Sequence, residues 1–258
     1  MENKKDSKVF QFQNKNIMYY DNMAIDLKGE LLFCWPYTWG ENFEHSLVTR
    51  VGEDIQNWMI TVNSSETFNP KQIKQINDIA LSAIYFYPSE WLSNVKTHSE
   101  DYIKFLTFCK TYLLVAILDD CTDANVQVER PPAQFYFDLG QIVYKILSLV
   151  VSDVSEIQNE LMTVEKYVPI TCHYLKCIFD IARTLKNVFG ATQKSAEHLA
   201  LQFRYFFELR IWGEIENESI IASLQKILRV LSGGSTIFQE MIFLLSGNNI
   251  PRVVRDNV

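Results

Sequence analysis

Glycine and proline are scarce in this chain, nine and seven among 258 residues, so few turn signals interrupt its long apolar-periodic stretches. Convincing strand alternation is missing, and so is any internal repeat, which leaves helices as the expected element. Basic clusters are absent beyond Lys4-Lys5, and the net charge is -7. A nucleic-acid binder needs a basic face to neutralise phosphates, so that class is excluded. The longest unbroken apolar run, Tyr112 to Leu118, falls far short of the roughly 20 residues that cross a bilayer as a helix. Met1 to Asn16 is polar and charged with no apolar h-region, so secretion is not expected. The five cysteines, Cys34, Cys109, Cys121, Cys172 and Cys177, form an odd set without CxxC spacing. They read as reduced thiols, and the expectation is a soluble cytoplasmic protein without a membrane span.

What the chain has instead is apolar bulk. Hydrophobic residues make up 48% of it and aromatic residues 13%, enough for a substantial core and for an aromatic-lined pocket besides. Residues 1–30 read as a loosely ordered lead-in, and Leu31 to Trp39, broken by Pro36, as an ordered loop. Helical spacing begins at Asn42 and runs to Met59, with Phe43, Leu47, Val51, Ile55 and Met59 on one stripe. It resumes from Pro70-Lys71 to near Pro88, and again from Ser99 through Leu118. Further helices are expected over roughly Phe135 to Val151, Val154 to Tyr167, Pro169 to Phe189, Ser195 to Trp212, Ser219 to Leu231 and Thr236 to Leu245. Residues 31–258 therefore read as a single all-α domain.

The sharpest feature is Leu118-Asp119-Asp120-Cys121-Thr122-Asp123. Asp119 and Asp123 stand four apart, so on a helix they share a face, with Asp120 beside them. Three carboxylates this close repel one another unless a cation sits among them. Magnesium suits such a site, because it takes oxygen ligands and bridges carboxylates to phosphates. The plain alternative is an acidic helix end in solvent, opposed by the macrodipole at a cost of roughly 0.3–1 kcal/mol per charge. Counting back from Asp119 by helical steps gives Ala116 or Val115, then Tyr112, Phe108, and Phe105 or Lys104. An apolar and aromatic stripe thus lies beneath the carboxylates, as either a packed helix face or the seat of an oily ligand tail.

In the order of its motifs the chain resembles class I terpene synthases of the non-plant, single-domain type, over roughly Trp35 to Arg252. The likeness rests on Ile84-Tyr85-Phe86-Tyr87-Pro88 followed by the helix delivering Asp119-Asp120-Cys121-Thr122-Asp123. It rests also on Trp212-Gly213-Glu214 and on Ile227-Leu228-Arg229-Val230-Leu231-Ser232-Gly233-Gly234, with Gly247-Asn248-Asn249-Ile250-Pro251 after them. The resemblance implies a terpenoid-synthase-like helical bundle acting as a carbon–oxygen lyase. Its chemistry is magnesium-dependent ionisation and cyclisation of a prenyl diphosphate, the C15 farnesyl diphosphate being the common case. It implies Asp119, Asp120 and Asp123 as metal ligands and Arg229 as the diphosphate sensor and catalytic cation. Ser232 and Gly233 follow in the diphosphate-binding segment, and Tyr85, Phe108, Tyr112, Tyr205 and Phe206 line the substrate pocket.

The family pattern also has a second metal motif, NDxxSxxxE, on the helix after Ile250-Pro251. Only Arg252 to Val258 stand there, and Asn77-Asp78-Ile79-Ala80-Leu81-Ser82 is out of place and out of register for it. The expectation for the chain as written is therefore a terpene-synthase-like protein, incomplete and inactive, with one magnesium position short of ligands and an apolar helical face uncovered. Two rivals stand beside it. A chain-elongating prenyl diphosphate synthase would carry a second aspartate-rich motif, which is absent. A non-catalytic helical interaction protein would carry the acidic cluster incidentally.

Overall fold

The computed structural model describes residues 7–19, 23–34, 45–63, 82–84, 86–92, 95–96, 99–122, 131–213 and 234–247. In chain order its elements are strands β1 (Ser7–Tyr19) and β2 (Met23–Cys34), then helices α1 (His45–Asn63) and α2 (Ser89–Leu92). Helices α3 (Glu100–Thr122), α4 (Ala133–Leu147), α5 (Gln158–Glu165), α6 (Thr171–Asn187), α7 (Gln193–Gly213) and α8 (Ser235–Leu245) follow. The chain divides into two units, Met1–His45 and Ser46–Val258. The regular elements among the described residues of the second are all helices, as the sequence predicts. Helices expected over residues 70–81 and over Ser219 to Leu231 lie outside the described residues.

The first unit differs from the expected lead-in. β1 and β2 pair antiparallel, Ser7 opposite Cys34 and Tyr19 opposite Met23, with a register irregularity between Asn14 and Ile17. Leu31 to Cys34, expected in a loop, belong to β2. Two features hid the hairpin. Neither Asn-Gly nor Asp-Gly joins the two strands, and the polar run Gln13-Asn14-Lys15-Asn16 interrupts the alternation that marks a half-buried strand.

Within the helical unit, α3 is apolar on nearly every side and is buried accordingly. Phe105, Phe108, Cys109, Leu113, Leu114 and Leu118 are all fully buried. Its two buried threonines turn their hydroxyls back on the helix, Thr107 donating to Ile103 O at 2.7 Å and Thr111 to Thr107 O at 2.9 Å. That pattern lets a polar side chain enter a core without an unmet donor. Ser99 starts the helix by accepting from Tyr102 N at 3.1 Å, and Glu100 and Asp101 in the first turn complement the macrodipole.

The most extensive helix pairing is α4 against α7. Gly140 makes the close approach possible, since a Cβ there would lie 3.2 Å from the carbonyl oxygen of Arg204. Glu208 bridges the pair by accepting from Gln141 Nε2 at 2.9 Å and from Arg204 Nε at 2.6 Å. The stretch read as one helix from Val154 to Tyr167 is a short 3₁₀ turn, Val154–Ile157, running into α5. Asp153 and Glu156 open it with a reciprocal capping box.

A polar layer joins α1, α3 and α6. Trp58 Nε1 donates to Asp180 Oδ2 at 2.6 Å, and the Tyr102 hydroxyl donates to Asp54 Oδ2 at 2.6 Å. Burial raises the pKa of Tyr87, Tyr102 and Cys109, and takes Cys177 up to about 12. Groups whose folded pKa exceeds the unfolded value contribute stability that is whole below the unfolded pKa and is lost as pH rises through the folded one. Lys110, whose pKa burial lowers, works in the opposite sense, but it is outnumbered. The urea midpoint should therefore fall between roughly pH 9 and 11, where free thiols and phenols ionise, with a shallower fall in Cys109→Ala. A midpoint constant across that window would contradict the burial of these groups.

Candidate functional site

The acidic tip expected at the end of α3 begins with Asp119, a partly buried residue in the last two turns of that helix. No basic residue stands in the last turn, so the macrodipole opposes the carboxylates, as the sequence implies. Asp120 follows on the same helix, but its side chain lies outside the described residues, as does the whole of Asp123. Among the described residues no group of three or more His, Cys, Asp or Glu gathers as a metal site would require. The donor chemistry of Asp119, Asp120 and Asp123, hard carboxylate oxygens only, is the type magnesium takes.

Beneath Asp119 the stripe counted from the sequence is present and is met by α8 and by the turn before α2. Tyr112 stacks against Phe238 of α8 with ring centroids 4.8 Å apart, and Phe108 meets the same ring at 6.0 Å. Phe86 joins from the turn before α2, 5.2 Å from Tyr112 and 6.0 Å from Phe238. Tyr87 lies behind them, 5.2 Å from Phe108. Gly234, at φ 74°, begins α8 at the edge of this cluster. A Cβ on Gly234 would lie 3.2 Å from Val115 Cγ1, 3.8 Å from Phe206 Cε2 and 3.9 Å from Phe238 Cε2. Two of the residues expected in a pocket, Phe108 and Tyr112, thus meet on Phe238 of α8, and a third, Phe206 of α7, lies near Gly234. The rings touch one another, so the described residues make a packed aromatic floor.

The remaining expected site residues fare differently. Tyr205 neighbours Phe206 on α7, yet it is 40% exposed whereas Phe206 is 2% exposed. One step along a helix turns the side chain by about 100°, so the two cannot share the buried face. Tyr85, Arg229, Ser232 and Gly233 lie outside the described residues. Phe238 was not among the expected pocket residues, although it touches more of the floor than any that were. Its signal was present in the helical spacing of Phe238, Met241 and Leu245, although Phe238 itself is only partly buried beside the buried Ile237, Met241 and Leu245 of α8.

The thiols match their sequence reading where they are described. Cys109 and Cys177 are buried and free, and Cys172 is free and partly exposed. No helix among the described residues is long and apolar enough to cross a membrane.

Comparison with known proteins adds no further constraint: no family model, no curated protein and no solved structure matches the chain.

Proposed function

We propose that this protein is terpene-synthase-like and that the tip of α3 binds a magnesium–prenyl diphosphate, with the isoprenoid chain against the aromatic floor. The observation that carries the reading is the juxtaposition of Asp119 with an apolar stripe. Val115, Tyr112 and Phe108 descend from it on one side of α3, and Tyr112 and Phe108 meet Phe238. A ligand with an anionic head and an oily tail is complementary to that order of surfaces.

On this reading Asp119, Asp120 and Asp123 would hold the metal, which neutralises diphosphate charge when bound. Arg229 presents a planar fork of donors suited to phosphate oxygens. Negative charge grows on the leaving group as an allylic C–O bond breaks, so a fixed cation such as Arg229 stabilises the transition state more than the ground state. The ring faces of Phe108, Tyr112 and Phe238 would shelter positive charge on the departing chain, at about 0.5–2 kcal/mol per ring. Binding of the magnesium-bound diphosphate head is the step this reading assigns to the tip of α3.

The test is calorimetric titration of the full chain with farnesyl diphosphate, with and without magnesium. Magnesium-dependent binding heat is expected, with the affinity weakened at least tenfold in Asp119→Ala and in Arg229→Ala, about 1.4 kcal/mol or more each. Circular dichroism confirms that the variants stay folded. The mutual packing of the aromatic rings favours a second reading, a helical protein without a ligand chamber, and absence of any magnesium-dependent heat would establish that one instead.

A further inference from the structure

In the first unit β1 and β2 form a two-stranded sheet, and among the described residues no further strand pairs with either. Each strand therefore keeps one edge outside the ladder, a template on which another strand adds. A sheet of two strands is marginally stable in water, and further strands are what secure it.

The two edges differ. Lys15 and Asn16 both separate Asn14 from Ile17, whereas Asp26 alone separates their partners Leu27 and Ile25, so the extra residue belongs to β1. A bulge bends its strand and spoils the edge for pairing, and the charges of β1, Lys8 and Lys15, are of one sign. β2 has neither bulge nor proline, and its charges alternate in sign through Asp26, Lys28 and Glu30.

Those charges select what the β2 edge takes. A second β2 related by a two-fold axis adds antiparallel, with one residue opposite its own copy. Two such registers pair nearly the whole strand, one centred on Lys28 and one on Gly29. Centring on Lys28 sets that lysine against itself and Asp26 against Glu30, like charges throughout, which is destabilising. Centring on Gly29 instead sets Lys28 opposite Glu30, Leu27 opposite Leu31 and Ile25 opposite Phe33, and the symmetry repeats each pair.

We infer that this protein forms a dimer through β2, the two hairpins making one four-stranded sheet in the order β1-β2-β2-β1 with Gly29 on the two-fold axis. The occupant of the edge is a second copy of the same strand, because its charges complement themselves in that register. The bulged β1 strands then stand at both outer edges, so assembly closes at two copies. The inference is independent of the prenyl diphosphate reading.

The experiment measures the oligomeric state of the full chain by sedimentation velocity over a dilution series, with circular dichroism to follow folding. A dimer is expected. Lys28→Glu and Glu30→Lys each create like-charge pairs across the axis and should raise the dissociation constant by roughly tenfold or more. Within the hairpin Lys28 is paired with Gln13 and Glu30 with Gln11, neutral residues, so neither change sets like charges opposite each other there. The chain carrying both substitutions should regain the dimer. Gly29→Cys should crosslink the copies at that position under mild oxidation, mapped by peptide mass spectrometry. A monomer at every concentration, assemblies larger than two copies, or a dimer indifferent to both single substitutions overturns the inference. So does failure of the double substitution to restore the dimer.

Discussion

Gly234→Ala should destabilise the protein by about 2–5 kcal/mol, measured through the shift in the urea midpoint, because two separate costs fall on one methyl group. The backbone at Gly234 has φ 74°, a left-handed conformation that costs a residue with a Cβ roughly 1–2 kcal/mol. The added Cβ would also press on Val115 Cγ1 at 3.2 Å, and overpacking of this kind adds about 1–3 kcal/mol. The structure supplies the control that separates the two. Gly190 and Gly247 have φ 65° and 68°, and a Cβ at either meets nothing within 4 Å. Alanine at those positions should cost only the backbone share. Combining Gly234→Ala with Val115→Ala should recover the steric share and leave the backbone share. If all three glycine variants lose the same stability, the close approach of α8 to α3 is not as described.

Phe108→Ala should cost still more, about 3–5 kcal/mol, the usual range for deleting a fully buried aromatic ring. Phe108 is 0% exposed and touches Tyr87 and Phe238, on opposite sides of the cluster. These neighbours hold one another in place, so the hole would close only in part. An apolar hole of ring size tends to stay dry and to accept an apolar guest. Benzene should therefore raise the melting temperature of Phe108→Ala and leave that of the unmodified chain unchanged. Tyr112→Ala should be milder, since Tyr112 is only partly buried. A loss below about 1 kcal/mol in Phe108→Ala would show that the ring does not stand in a packed core.

The two variants bear on the candidate site in different ways. Val115 and Phe108 occupy the same stripe beneath Asp119, so both substitutions change the floor without touching a carboxylate. Loss of magnesium-dependent binding in Asp119→Ala, with the floor intact, would isolate the contribution of the acidic tip.

Periodicity along the chain was enough to place α1, α3, α4, α6, α7 and α8, because a helix is decided by residues three and four positions apart, whereas the four-residue α2 is too short to show a period. The expected start after Ser99 agrees with α3 at Glu100, and Ser195 to Trp212 falls within α7 (Gln193–Gly213). The burial of α3 was legible for the same reason, since Phe105, Phe108, Leu114 and Leu118 leave no polar face wide enough to meet solvent. The left-handed backbone of Gly234 at the start of α8 was not legible, because it depends on how the chain enters that helix.

Other features needed the tertiary structure, because they depend on which faces meet rather than on local spacing. Trp58 and Asp180 are 122 positions apart, and nothing near either residue announces the other. Phe238 joins Tyr112 only because α8 crosses α3 at that level, and Tyr205 is excluded from the floor by the turn that buries Phe206. The β1–β2 pairing belongs to the same class, since cross-strand partners such as Phe10 and Leu31 are chosen by register and not by neighbouring residues. By itself, then, the sequence determined the helical character and the candidate carboxylates, whereas the assembly of side chains around them was decided by packing between distant segments.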